Sequence, residues 1–380
     1  MRFRGPAGWR DAGLAALTAA AVMLSGGLAV PPPARAASGQ ALVAVRLPYV
    51  LAEFARSASG APQPMVISPS GRVIVDSKGE ILDPLAGRVG TYTQTDGLQE
   101  GIDYALRRGL DVYIAGGAAV GRTNNNVYDL NRTLVIPPAQ DFRIDGGEAV
   151  INYTGSLGNA IEINSCEDCH YRFGLVVTGA RNGAAVVFRP TEPTPIDHLV
   201  VITDSSFRFS SIATSAAVGT SYAGILLGAA SGPILWNRID ATAVVGFQDN
   251  VVASNGVTYN RISVGHNHQA AHALVRIHAG ADGNMWNLND DLNGTASVGV
   301  ICTGSNNTFT LQSSGFPAGK DVIFQNGATG NTVLGIGPLS VTQSPSPLDV
   351  NCVVGSVMST NARCGLAALH FLQGLAGSGG

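Results

Sequence analysis

The densest collection of chemically capable side chains lies between residues 236 and 291. Four of the seven histidines fall there, His266, His268, His272 and His278, and the acidic pair Asp290-Asp291 follows them. A carboxylate beside an imidazole raises its basicity and fixes its tautomer, as a general base requires. Two adjacent carboxylates with a histidine suit a divalent cation instead, with Asp290 and Asp291 as ligands and Ca2+ as the natural candidate. Arg238, Asp240, Arg261 and Ser263 stand just upstream. Arginine binds carboxylates in bidentate fashion, so Arg238 and Arg261 are candidates to hold a chain of uronic acids, with Asp240 beside them. Trp236 and Tyr259 offer flat faces for a sugar ring, or a structural stack on each other. Elsewhere Cys166-Glu167-Asp168-Cys169-His170 matches the C-x-x-C-H pattern of haem attachment. The same residues suit a metal held by two thiolates and His170, or a turn whose cysteines face inward or pair.

The elements that must position these groups repeat. Trp236-Asn237-Arg238-Ile239, Tyr259-Asn260-Arg261-Ile262, Gly283-Asn284-Met285-Trp286, Asn306-Asn307-Thr308-Phe309 and Gly330-Asn331-Thr332-Val333 are one phrase written five times, with asparagines at 237, 260, 284, 307 and 331 and steps of 23, 24, 23 and 24. A fixed period in this range marks a solenoid. The second residue after each asparagine is apolar, the fourth mostly so, and the first and third mostly polar, which is the alternation of a strand with one buried face. One such strand every 23 or 24 residues predicts an all-β parallel β-helix in which each coil pairs with the next and the asparagines stack as a ladder in a buried turn. Counted from Asn260 and Asn284, His266 and Asp290 fall at the same place in adjacent coils, as do Asn267 and Asp291. Coils about 4.8 Å apart bring such side chains within touching range. The plain alternative for this cluster is a solvated polar turn. For the arginine row it is an Arg–Asp network on an outer face.

The rest of the chain supplies ends. Arg2, Arg4 and Arg10, an apolar run from Ala12 to Val30, and Ala34-Arg35-Ala36 read as a signal peptide over residues 1–36. This implies a secreted, surface or periplasmic protein with no membrane span in the mature chain. Disulfides are permitted there, and Cys352 with Cys364 are placed to clip the C-terminal end. Residues 37–90, broken by prolines, read as a loosely attached arm. Thr95-Asp96 offers an N-cap to an amphipathic helix through Leu98, Ile102 and Leu106 that stops near Gly109. A β-helix would span 91–355 and a tail 356–380. Charged residues are only 13% of the chain and the formal net charge is −3, so nothing suggests a nucleic-acid partner. Lysine is confined to Lys78 and Lys320, which removes most candidates for a lysine base.

The run Gly97-Leu98-Gln99-Glu100-Gly101-Ile102-Asp103-Tyr104-Ala105, then Val112-Tyr113-Ile114, Thr133-Leu134-Val135-Ile136-Pro137-Pro138 and Ile144-Asp145-Gly146-Gly147, resembles the N-terminal cap and first coils of the pectin-lyase-like right-handed parallel β-helix proteins. The resemblance implies that fold over roughly 91–355, with the helix as cap. It does not imply one activity, because that superfamily holds lyases, hydrolases, epimerases, tailspikes and inactive members. In pectate-lyase-like enzymes an arginine abstracts the proton beside a carboxylate while a cation neutralises the acid, and the resemblance would give that role to Arg261 or Arg238. The polygalacturonase set is absent in order, since Asp290-Asp291 follows Gly265-His266-Asn267 instead of preceding it. Two functions follow as expectations. One is a carbohydrate-active protein that binds an acidic polysaccharide, with or without cleaving it by β-elimination, lyase and hydrolase both staying open. The other is a non-catalytic surface or adhesion protein whose β-helix is a spacer. The first requires a groove where Arg238, Asp240, Arg261, His266 and Asp290 converge; the second requires a flat face with these groups paired to one another. The oligomeric state is not legible.

Overall fold

The structure, a computed structural model, describes residues 49–56, 62–116, 127–228, 232–291, 298–314, 320–325, 327–336, 339–343 and 351–354. The expected signal peptide over 1–36 and the tail from 356 to 380 lie outside the described residues. The described chain is all-β apart from the helix Leu98–Arg108. Its strands form three long sheets of 15, 9 and 5 strands, parallel throughout except at the N-terminal end. Successive circuits of the chain visit the first and second sheets in turn, and those up to Val257–Thr258 also visit the third. Arg238–Ala241 lies in the first, Asp249–Ala253 in the second and Val257–Thr258 in the third, and Arg261–His268 returns to the first. This arrangement is compatible with a β-helix solenoid.

The alternation seen in the sequence sets which face is buried. Ile239, Ile262, Trp286, Phe309 and Val333 stand in register across five neighbouring strands, all buried. Trp286 and Phe309 stack with planes 15° apart. Each such side chain contributes about 1.5–3 kcal/mol by leaving water. The residues between them, Arg238, Arg261 and Met285 among them, face outward.

The corner before each of these strands is closed by the expected ladder. The backbone N–H of Asn237 donates to Oδ1 of Asn260, and the same bond recurs from Asn260 to Asn284, Asn284 to Asn307, Asn307 to Asn331 and Asn331 to Asn351, all at 2.9–3.1 Å. Each Nδ2 also reaches the Oδ1 of the next coil and a carbonyl of the preceding one, as Asn284 does with Asn307 and Val257. Ser205 and Cys169 continue the column upstream, with Ser205 N–H bonded to Asn237 and Cys169 N–H to the Ser205 hydroxyl. The residue before each rung is left-handed: Asp168, Asp204, Trp236, Tyr259, Gly283, Asn306 and Gly330 all have φ between 51° and 69°.

The N-terminal end differs from the expected loose arm. Tyr49–Arg56 joins the first sheet parallel to Asp111–Ile114, then Pro62–Ile67 and Val73–Val75 extend it antiparallel. Val50, Ala52, Val66, Ile74, Val75 and Ile81 are buried in the main core. Of the prolines that suggested an arm, Pro62 begins a strand, Pro64 lies within it opposite Phe54 and Pro69 sits in the turn that follows. The helix Leu98–Arg108 packs on Tyr49–Arg56, Asp111–Ile114 and Leu134–Ile136. Its N-cap is Gly97, φ 83°, not Thr95 or Asp96, although Thr95 Oγ1 still accepts the Gln99 N–H at 3.1 Å. It ends at Gly109 as expected, in the left-handed conformation that releases the chain from the helix. Among the described residues no helix is long and apolar enough to cross a membrane.

Asn284 sits mid-ladder, and Asn284→Ala leaves the buried Asn260 N–H without its acceptor and removes one of the two donors to the Val257 carbonyl. The expected loss is roughly 2–4 kcal/mol in denaturant unfolding. An exposed control, Asn287→Ala, should stay within about 0.5 kcal/mol.

Candidate functional site

The outward rows of the first sheet are ordered by strand register. One row runs Arg143, His170, Ser206, Arg238, Arg261 and Met285; the next runs Asp145, Arg172, Arg208, Asp240, Ser263 and Asn287. Five arginines therefore share one face. Asp240 takes two of them, with Arg238 Nε at 2.6 Å and Arg208 Nε at 3.8 Å, while Arg172 lies 3.8 Å from Asp145. These pairs are exposed and worth at most about 1 kcal/mol each. Arg261 is exposed and has no ion pair or hydrogen-bonding side-chain partner among the described residues.

Two shallow depressions lie on this face. One, of about 440 Å³, is lined by Asp204, Ser206, Trp236, Arg238, Tyr259 and Arg261. The other, of about 530 Å³, lies over Arg172, Arg208, Ser210, Asp240, Ser263 and Gly265. Trp236 and Tyr259 are 60% and 63% exposed. Instead of stacking on Trp236, Tyr259 lies over the next corner, where a Cβ added to Gly283 would come within 2.9 Å of its ring. No ring contact between Trp236 and Tyr259 is found among the described residues. Both aromatics occupy the left-handed corner that glycine, asparagine and aspartate fill in the other coils. Bulky residues rarely adopt that conformation, and strain of this kind concentrates at functional sites.

The expected pairing of His266 with Asp290 does not form. Val264 lies opposite Leu288, but Asn267 lies opposite Asp290 and His268 opposite Asp291. Gly265 and His266 together face the single residue Asn289, although they match Thr242 and Ala243 one for one in the preceding coil, so a β-bulge between this coil and the next breaks the count from the ladder. His266 is exposed, 4.2 Å from His268 between ring centroids. Asp290 points the other way and is 1% exposed. It ends an inner polar column in which Asn250 Nδ2 donates to Asn267 Oδ1 and Asn267 Nδ2 to Asp290 Oδ1. Its second oxygen, Oδ2, has no hydrogen-bond partner among the described residues. Burial, with a smaller contribution from Asp321, pushes this carboxyl up to about 7, against the bond from Asn267. Asp290 is thus removed both from a surface base and from a surface cation site. Among the described residues no group of three or more His, Cys, Asp or Glu side chains is gathered to hold a metal.

Cys166 and Cys169 form a disulfide with both residues buried, so the thiolates required by the haem and metal readings are consumed. His170 instead faces outward, with Nδ1 2.9 Å from the Ser206 hydroxyl. Cys352 is disulfide-bonded, and its expected partner Cys364 lies outside the described residues. Sequence reasoning missed the acid pair Glu167–Asp197. Asp197 is brought over the sheet by a long turn and takes a 2.6 Å bond from Gln140. The Glu167 carboxyl is raised by burial first, then by its hydrogen bond to Asp197 and by the charges of Asp197, Asp168 and Asp204. Only the run of acids at 167 and 168 signalled it.

No family model, curated protein or solved structure matches the chain.

Asp290→Asn keeps the oxygen that Asn267 needs and removes the titrating group. The folded chain holds the Asp290 proton more tightly than the unfolded chain, whose carboxyl lies near 3.8. This contribution to stability is whole below that value and is lost as pH rises through about 7. Thermal unfolding from acid to pH 8 should therefore show Asp290→Asn matching the parent at low pH and exceeding it at pH 8, by on the order of a few kcal/mol at most.

Proposed function

We propose that this is an exported carbohydrate-binding protein of the pectin-lyase-like type, a right-handed β-helix with its N-terminal helix as cap. Its binding face is the outer side of the first sheet, which grips an acidic polysaccharide. The observation that supports this most is the exposed pair Trp236 and Tyr259, held in strained corners beside the unpaired Arg261. Nothing in the fold requires aromatic rings there, since the other coils close the same corner with small polar residues or glycine. Flat rings stack on sugar faces, and Arg261 supplies a bidentate partner for a carboxylate. Asp240 and Arg238 are bonded to each other at 2.6 Å and border the same face.

Binding without cleavage is the form of this reading that the geometry favours. The five groups expected to converge on a reacting centre do not, because Asp290 is inside the core and Arg238 is paired to Asp240. Arginine keeps its proton in proteins, so Arg261 is better suited to hold a carboxylate than to serve as a base. Beta-elimination therefore stands as the less favoured form, and a non-catalytic surface role is consistent with the same face.

The test uses a panel of acidic and neutral polysaccharides with the chain lacking residues 1–36. Acidic glycans should retard the protein in affinity electrophoresis, less so at high salt. Trp236→Ala, Tyr259→Ala and Arg261→Ala should each weaken binding roughly tenfold, about 1.4 kcal/mol. Equal retardation of all three variants and the parent would sink the assignment of the face. Ultraviolet absorbance of an unsaturated uronate, with calcium and with chelator, decides whether cleavage accompanies binding.

A further inference from the structure

The β-bulge at Gly265-His266 does more than shift a register. In an unbroken strand, His266 would fall on the same side as Ile262 and Val264, which face the core. The extra residue turns it outward, and Asn267 resumes the inward position. His266, exposed, and His268, half-buried with Nδ1 covered so that Nε2 is its ligating atom, thus lie on the same side of the strand, two residues apart, with ring centroids at 4.2 Å and planes at 43°. Asn267 between them is fixed from both sides, accepting from Asn250 at 2.9 Å and donating to Asp290 at 3.0 Å. The backbone carrying the two imidazoles is therefore pinned from inside the core. Bulges that re-aim a side chain in this way are enriched beside functional sites.

We propose that His266 and His268 form a chelating site for a borderline divalent transition-metal ion, of the class Zn2+, Ni2+ and Cu2+. Two neutral imidazole nitrogens each about 2.1 Å from one ion lie within roughly 3.5 Å of each other. Rings already in contact reach that spacing by small rotations about their side-chain torsions. Imidazole favours Cu2+, Ni2+ and Zn2+, whereas Ca2+ and Mg2+ require oxygen ligands. Water completes the coordination, so the site is open and exchangeable. It is independent of the polysaccharide reading and uses none of Trp236, Tyr259 or Arg261.

The experiment is calorimetric titration of tag-free protein lacking residues 1–36 with Zn2+, Ni2+, Cu2+ and Ca2+ salts. One ion per chain is expected for the transition metals, tightest for Cu2+, and none at this site for Ca2+. Binding should weaken in acid, where protons compete with the ion for the ligand nitrogens. His266→Ala and His268→Ala should each lower affinity at least roughly tenfold, and the double variant should abolish the site. Cu2+ electron paramagnetic resonance should show coupling to two nitrogens in the parent and one in each single variant. Both residues lie on the outward side of the strand, and circular dichroism checks that the variants stay folded. Absence of stoichiometric binding, or binding unchanged in the double variant and shifted by His272→Ala or His278→Ala, would overturn the proposal.

Discussion

A solenoid corner turns a chain sharply where no strand neighbour is available, and the peptide groups buried there must still be paired. Here one amide side chain per coil meets that demand. Its oxygen accepts a backbone N–H from the coil before, and its nitrogen bonds a backbone carbonyl and the next amide. A buried donor left without a partner costs about 1–3 kcal/mol, so a run of unsatisfied corners would exceed the net stability of an ordinary domain. The strand register, the outward rows and the candidate binding face all inherit their alignment from this column. Trp236 and Tyr259 are presented to solvent because the next residue in each case is a rung.

The second polar column works by the same chemistry with a different outcome. Asn250 and Asn267 pass a hydrogen bond along the core to Asp290, which has no amide to pass on. A carboxyl in that place stays uncharged only by holding a proton. The inner column therefore makes the interior of the solenoid sensitive to pH. It also anchors the bulge that exposes His266.

The ladder asparagines and the inward set Ile239, Ile262, Trp286, Phe309 and Val333 were legible in the sequence because both obey a strict period. What broke the period was not legible. The bulge at Gly265-His266 sets two residues against one of the next coil, and no local composition distinguishes it from a simple polar turn. Counting from the ladder therefore placed His266 beside Asp290, when the true partner of Asp290 is Asn267. The first rungs, Ser205 and Cys169, were hidden because a hydroxyl and a backbone N–H replace the amide. The N-terminal hairpin was hidden by prolines that stand in a strand and its turn instead of a linker. Acid pairing at Glu167–Asp197 depends on a long turn whose path no periodicity encodes.

The placement of Tyr259 over Gly283 has a consequence for how this face can vary. The two residues belong to different coils, yet each limits the other, because any side chain at 283 meets the phenol ring. Substitutions at the two positions are not independent. A larger residue at 283 carries less steric cost once residue 259 has become small, and the aromatic ring at 259 must shift once 283 carries a Cβ. Epistasis of this kind ties neighbouring coils together as pairs, so the surface of such a face diversifies in linked steps instead of one position at a time.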